Sequence, residues 1–299
     1  LRARQDLVMM ESKFPKEAVT TFKNLEVNGN PWGQSAQDRE KWIGELNVPK
    51  MREKGKAEYL YWVGCAGAYD ARGQEVSQAM VKLMNHANVD YAVLGTEETC
   101  TGDSARRLGN EYLFQMMAQQ NIDTFDNYDV TKIITQCPHC LNTLKNDYKA
   151  LGKKYEVIHH AEFLAELVDQ GKLSPSKASN ANIAYHDSCY LGRHNDIYDA
   201  PRDVIKAIPG VKLEEFPRNM NEGMCCGAGG GRMWLEETLG DKTINIERME
   251  DVKAVNPDEV ATACPFCATM INDGIKAEEL DTKTSSKDIA QYLLESIAE

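Results

Sequence analysis

The 299-residue chain reads as an α/β protein made of two tandem copies of one unit, each a small parallel sheet with flanking helices, preceded by a helical arm. Three observations predict this. Cysteines recur at a nearly constant offset: Cys65 matches Cys189 at 124 residues, Cys100 matches Cys225 at 125, and Cys137 matches Cys264 at 127. Each anchor lies just past a short apolar run of strand composition, and helix-period stretches separate the runs. Both sets also end in the same turn, Cys137-Pro138-His139-Cys140 and Cys264-Pro265-Phe266-Cys267. A repeat of this period decides the fold before any single element does, and alternating strands and helices give a parallel sheet with crossovers.

Residues 1–57 form the arm. Leu7-Val8-Met9-Met10 is apolar, Pro15 suits a first helical turn, and 17–25 has helical periodicity. Asn28-Gly29-Asn30-Pro31-Trp32-Gly33 is a turn cluster, and a short helix is expected over 36–46. Trp32 and Trp42 are expected to pack the arm onto the next domain, and the arm carries no recognisable chemistry. The first unit, 58–175, has expected strands at 59–64, 90–94 and 132–136. Its helices are expected at 75–86, at 104–120 and from about 141. A strand at 155–158 and a helix at 161–168 come between the copies, and the Ser- and Lys-rich stretch 171–180 with Pro175 is the linker. The second unit, 176–299, repeats the pattern with strands at 182–187, 212–216 and 259–263. Its helices are expected at 202–208, at 232–251 and from about 268. A closing helix at 289–297 matches the one at 161–168.

Composition narrows the function. The chain is 42% hydrophobic and 27% charged, with net charge −12 and pI about 5.1. That balance argues against a nucleic-acid backbone or an anionic lipid surface as partner. No apolar run approaches the roughly 18–20 residues of a membrane span, and no export signal is evident. The expected location is cytoplasmic, with any membrane association made through partner subunits. The chain opens on Leu1, which leaves open that other modules precede it. Nine cysteines in a chain of this size favour metal ligation in a reducing compartment over disulfides.

The most informative stretch is Met224-Cys225-Cys226-Gly227-Ala228-Gly229-Gly230-Gly231. Two adjacent thiolates grip one tetrahedral zinc poorly. They can reach different irons of one cluster, while Gly227, Gly229 and Gly230 let backbone N–H groups come close. Ligands of parallel sheets gather at the carboxyl ends of the strands, so Cys189, Cys225, Cys226, Cys264 and Cys267 are expected on one rim. Five thiols including an adjacent pair favour a multi-iron cluster. A zinc-stabilised scaffold without redox activity and a dithiol oxidoreductase using the Cys-x-x-Cys turns are the readings from other classes.

The duplicated Cys-(35)-Cys-Cys-Gly-(36)-Cys-x-x-Cys pattern resembles the cysteine-rich CCG domains of the heterodisulfide reductase catalytic subunit. Similar domains occur in iron–sulfur oxidoreductases of lactate, glycolate and glycerol-phosphate oxidation, in sulfite-reduction-associated membrane complexes and in bacterial electron-transfer-flavoprotein:quinone oxidoreductases. The resemblance covers about residues 58–299 and includes His186-Asp187-Ser188-Cys189, Gly192-Arg193-His194-Asn195, Tyr198-Asp199-Ala200-Pro201-Arg202 and Asn221-Glu222. It implies a non-cubane [4Fe–4S] cluster on Cys189, Cys225, Cys226, Cys264 and Cys267. It further implies exchange of electrons between a flavoprotein, ferredoxin-type iron–sulfur protein or dehydrogenase and a quinone or thiol/disulfide acceptor, through a membrane quinone-reactive subunit where the acceptor is a quinone. In fusion-type members a two-cluster ferredoxin module comes first; no Cys-x-x-Cys-x-x-Cys run occurs here.

The first copy departs from that pattern, with Thr101 where a second cysteine should follow Cys100. A hydroxyl does not bridge irons as a thiolate does. Cys65, Cys100, Cys137 and Cys140 are therefore expected to hold an ordinary cubane [4Fe–4S] cluster, a Zn²⁺ ion or nothing. Cleavage of a heterodisulfide, which the family attributes to two non-cubane clusters, is then a less natural activity than electron relay. Beside the second set, His186 can tune a cluster or relay a proton, and Arg193 and His194 can contact an anion or a partner. His139, the counterpart of Phe266, is expected to pack rather than ligate, and His159-His160 to cap a helix or fill the core.

Overall fold

A computed structural model describes residues 1–238 and 240–298. Strands β1 (Tyr59–Trp62), β2 (Tyr91–Ala92), β3 (Lys132–Thr135) and β4 (Glu156–His159) form one sheet in the order β2-β1-β3-β4. Strands β5 (Asn182–Tyr185), β6 (Lys212–Glu214), β7 (Glu259–Thr262) and β8 (Ser285–Asp288) form a second in the order β6-β5-β7-β8. Every neighbouring pair is parallel. The central strands bury Leu60, Tyr61 and Trp62, Ile133 and Ile134, Ile183 to Tyr185, and Val260 and Ala261, as strands covered on both faces require.

The sheets have four strands each rather than three per copy. The stretch at 155–158 belongs to the first sheet as edge strand β4, not to a connector. Its counterpart β8 reads Ser285-Ser286-Lys287-Asp288 and carries no apolar signal; pairing with β7 gives it strand form. Four helices also differ from expectation. The helix at 104–120 is two, Asp103–Leu108 and Glu111–Asn127, because Gly109 turns left-handed (φ +104°) and Asn110 caps the second through the Leu113 N–H. The stretch 232–251 holds one 3-10 turn, Arg232–Trp234, and a helix confined to Ile244–Val255, whose first N–H bonds the Glu237 carboxylate; residue 239 lies outside the described residues. The helices after the cysteine turns begin at Pro138 and Pro265, so each Cys-Pro-x-Cys motif is itself a first helical turn, with Pro at its favoured position and Cys137 or Cys264 as the cap.

The two copies pack reciprocally. Helix Ala71–His86 of the first lies against Ile289–Ser296 of the second, and His160–Asp169 of the first against Asp199–Lys206 of the second. One apolar core runs through this seam from Phe22, Leu25 and Trp42 of the arm to Ile289 and Leu293. A buried pair, His160 Nε2 to Asp288 Oδ1 at 2.8 Å, crosses it. This arrangement turns the carboxyl ends of both sheets toward a common region.

Candidate metal centres

In the second copy the loops after β5, β6 and β7 bring five thiols together. Cys189 touches Cys225, Cys225 touches Cys226, Cys226 Sγ lies 3.3 Å from Cys267 Sγ, and Cys267 contacts Cys264. Cys226, Cys264 and Cys267 are buried, while Cys189 and Cys225 are part-open. Hydrogen bonds from the Cys189 and Cys226 thiols push Cys225 down to about 2, and those partners are pushed up in turn. Cys225 is thus the thiol favoured as thiolate, the form that binds soft metals, at the expense of the neighbours that donate to it. The glycines serve this geometry. Gly227 adopts φ +101° and its N–H donates to Cys225 Sγ at 3.3 Å. A Cβ on Gly229 would lie 3.7 Å from Cys189 Sγ, and the Gly230 carbonyl accepts from Arg4 Nη1 of the arm at 2.6 Å.

His186 closes this set from below. It is 1% exposed, its ring approaches Cys226 and Cys267 Sγ within 4.8 Å, and neither ring nitrogen has a hydrogen-bond partner. Burial, then the Arg248 charge, lowers it to about 3. A neutral imidazole without partners, facing thiols, is a polar group that a bound centre would satisfy.

In the first copy Cys65, Cys100, Cys137 and Cys140 line one small pocket of about 30 Å³ together with Thr101, Trp62, His139 and Phe266. Thr101 is 1% exposed and its Oγ1 has no partner, so the position equivalent to Cys226 presents an unsatisfied hydroxyl. The arm supplies a residue that the sequence did not single out. Arg39, 2% exposed, donates to Glu98 Oε1 at 2.5 Å and to Cys65 Sγ at 3.3 Å. Glu98 also accepts the N–H groups of Val63 and Gly64 at 3.1 and 2.9 Å, fixing the turn that presents Cys65. A hydrogen bond from Cys100, aided by Arg39 against the cost of burial, lowers Cys65 to about 6. The arm therefore does carry chemistry. A lone Arg within Asp38-Arg39-Glu40 gives no sign of it, because its partners are 26 and 59 residues away.

Both cysteine sets fall within stretches that match the family model of the cysteine-rich domain CCG, residues 59–145 and 183–272. The chain belongs to the CCG family. Similar proteins include the probable iron–sulfur-binding oxidoreductase FadF of Bacillus subtilis, 46% identical over 98% of this chain and 43% of its own length. The EtfAB:quinone oxidoreductase of Syntrophomonas wolfei is 49% identical over 97% of this chain and 42% of its own. A subunit of the dihydromethanophenazine:CoB–CoM heterodisulfide reductase of Methanosarcina mazei is 31% identical over 90% of this chain and 64% of its own. The chain thus spans less than half the length of the first two.

The two CCG copies meet through rings. Trp32 of the arm lies edge-on to Trp234 at 4.8 Å and stacks toward Phe266 at 6.4 Å. His139, Tyr190 and His194 stack in sequence at 4.1 and 4.4 Å. His194 is thus an exposed end of a stack that reaches His139, and Arg193 points to the carbonyls of Asn221 and Gly223, bracing the loop before Cys225. His159 caps its helix through the Ala161 N–H. Among the described residues no helix is long and apolar enough to cross a membrane.

Proposed function

We propose that this chain is the electron-transferring CCG portion of an iron–sulfur oxidoreductase, with a non-cubane [4Fe–4S] cluster held by Cys189, Cys225, Cys226, Cys264 and Cys267. The observation that carries this reading is the unbroken run of four contacts linking five thiols on one rim, with the unpartnered His186 facing it. Four sulfurs suffice for zinc; a fifth, adjacent to another, suits a multi-iron core. When bound, such a cluster accepts and releases electrons at a potential set by the hydrogen bonds and burial around its sulfurs. The chain's own residues position the thiols, exclude water through the ring cluster, and present Cys189 and Cys225 toward solvent.

Cys65, Cys100, Cys137 and Cys140 form the four-thiol centre, a cubane [4Fe–4S] cluster or Zn²⁺. The part-open face of the five-thiol rim suits a flavoprotein, ferredoxin-type or dehydrogenase donor and a quinone-reactive membrane partner, in keeping with the name of the Syntrophomonas wolfei EtfAB:quinone oxidoreductase. Heterodisulfide reduction is the second reading, supported by the archaeal relative. The single hydroxyl of Thr101 weighs against a matched pair of special clusters. The test is anaerobic purification with iron, zinc and sulfide analysis and electron paramagnetic resonance of the wild type and of Cys226→Ser. The reading expects brown protein with at least about four irons per chain. It also expects the five-thiol signal to be lost in Cys226→Ser with the four-thiol centre intact. Colourless protein containing zinc alone would contradict it.

A further inference from the structure

The residue three positions before the leading cysteine of each set is a buried ring whose nitrogens take part in no hydrogen bond. In the second copy it is His186 ahead of Cys189, and in the first it is Trp62 ahead of Cys65. The two are 1% and 0% exposed, and His186 Nδ1, His186 Nε2 and Trp62 Nε1 all lack partners. Both stand at the end of a central strand. Trp62 is the last residue of β1, and the His186 backbone N–H, directly after β5, bonds the Ala261 carbonyl of β7 at 2.9 Å. Both also face cysteines. Trp62 lines the pocket of the four thiols. In the second copy a ring nitrogen of His186, Cys226 Sγ and Cys267 Sγ all lie within 4.8 Å of one another, with the two sulfurs 3.3 Å apart.

The copies differ in possible ligand atoms at two places, and both differences fall in this corner. Thr101 stands where the second copy has Cys226, and Trp62 where it has His186. An indole N–H only donates, whereas a neutral imidazole keeps a nitrogen lone pair that binds metals. A hydroxyl is likewise a poor substitute for a thiolate toward a soft metal. The second copy therefore gains a sulfur and a nitrogen together, side by side, and the first lacks both. For a metal held at about 2.3 Å by sulfur and about 2.0 Å by nitrogen, tetrahedral ligand atoms sit about 3.5–3.8 Å apart. The three buried atoms already approach that spacing. We infer that His186 is a nitrogen ligand of the five-thiol centre, on the iron that Cys226 and Cys267 also hold. A neutral imidazole in place of an anionic thiolate leaves that iron less electron-rich and raises the reduction potential, as in centres where histidines replace cysteines. Trp62 gives the four-thiol centre no such ligand.

This inference rests on the reading of the second cysteine set as an iron–sulfur centre. The experiment is electron–nuclear double resonance on the paramagnetic signal that Cys226→Ser removes, with iron analysis alongside. It uses anaerobically isolated protein in which histidine alone carries isotopically labelled nitrogen. The wild type should show a strongly coupled nitrogen whose coupling changes with the label. His186→Trp, which places in the second copy the ring already housed in the first, should keep the iron and lose that coupling. His186→Cys should keep the iron and shift the potential of the centre to more negative values in a redox titration, because an anionic ligand replaces a neutral one. The labelled wild type decides the matter without any variant, should His186→Trp fold poorly. A wild-type five-thiol rim without iron would overturn the metal assignment and this inference with it. An iron-replete wild type whose histidine nitrogens couple no more strongly than hydrogen-bonded ones would overturn this inference alone. So would a strong coupling that survives in His186→Trp.

Discussion

At the scale of single residues, the buried pair Arg39–Glu98 shows how the arm is tied to the four-thiol centre. Both side chains are at most 2% exposed, and Arg39 also reaches Cys65. Removing one member leaves the other charged and uncompensated, a loss of about 3–5 kcal/mol. Arg39→Met should therefore lower the denaturant midpoint sharply. The double variant Arg39→Met/Glu98→Gln should recover part of that loss, because it removes the stranded carboxylate. If the single and double variants unfold at the same midpoint, the pair is not the source of the effect. Gly64 gives a second prediction at this scale. It sits at φ +75° directly before Cys65, and a Cβ there would come no closer than 3.5 Å to Cys140 Sγ, an ordinary contact. The cost of Gly64→Ala is thus backbone strain of about 1–2 kcal/mol, readable as reduced unfolding free energy.

At the scale of elements, strands with apolar cores were legible and the polar ones were not. Leu60–Trp62 and Ile133–Ile134 announce themselves by composition; Ser285–Asp288 becomes a strand through its neighbour β7. Helix ends were misplaced where one residue decides. Gly109 splits a continuous helical pattern, and Pro138 and Pro265 start helices at positions that read as turns. The arm's 3-10 segment Ala36–Ile43 is held to the loop after β2 by Glu40. That carboxylate takes a two-pronged bond from Arg52 at 2.6 and 3.1 Å and the Thr96 N–H at 3.0 Å. The Arg52 hydrogen bond chiefly, with the Thr96 N–H, holds Glu40 down to about 2 from 4.5. A depressed carboxylate contributes stability that is fully present above its unfolded value and is lost as pH falls through its folded one. The stability gap between wild type and Glu40→Gln should accordingly be constant above about pH 5 and close progressively toward pH 2. A gap independent of pH across that window would show that Arg52 does not engage the charge.

At the scale of the whole molecule, duplication was readable from cysteine offsets alone, and with it the convergence of three loops on each rim. What could not be read is how the two rims face each other. That depends on reciprocal packing of Ala71–His86 with Ile289–Ser296 and of His160–Asp169 with Asp199–Lys206, and helix–helix contacts leave no local signature. For the same reason the partners of His139 could not be named: Asp103 is 36 residues away and the Tyr190 ring it stacks on is in the other copy. Arg39 was opaque, and Trp32, expected to pack onto the next domain, meets Trp234 and Phe266 of the second copy instead, because an arm's targets are fixed only once both copies have folded. The account predicts two chemically different centres on one interface, five thiols opposite four. Anomalous scattering from crystals grown without oxygen, collected on both sides of the iron and zinc absorption edges, tests this most directly. The account predicts an extended iron peak within bonding distance of Cys189, Cys225, Cys226, Cys264 and Cys267, and a separate metal peak among Cys65, Cys100, Cys137 and Cys140. A single compact zinc peak at the five-thiol rim, or no peak there, would contradict it.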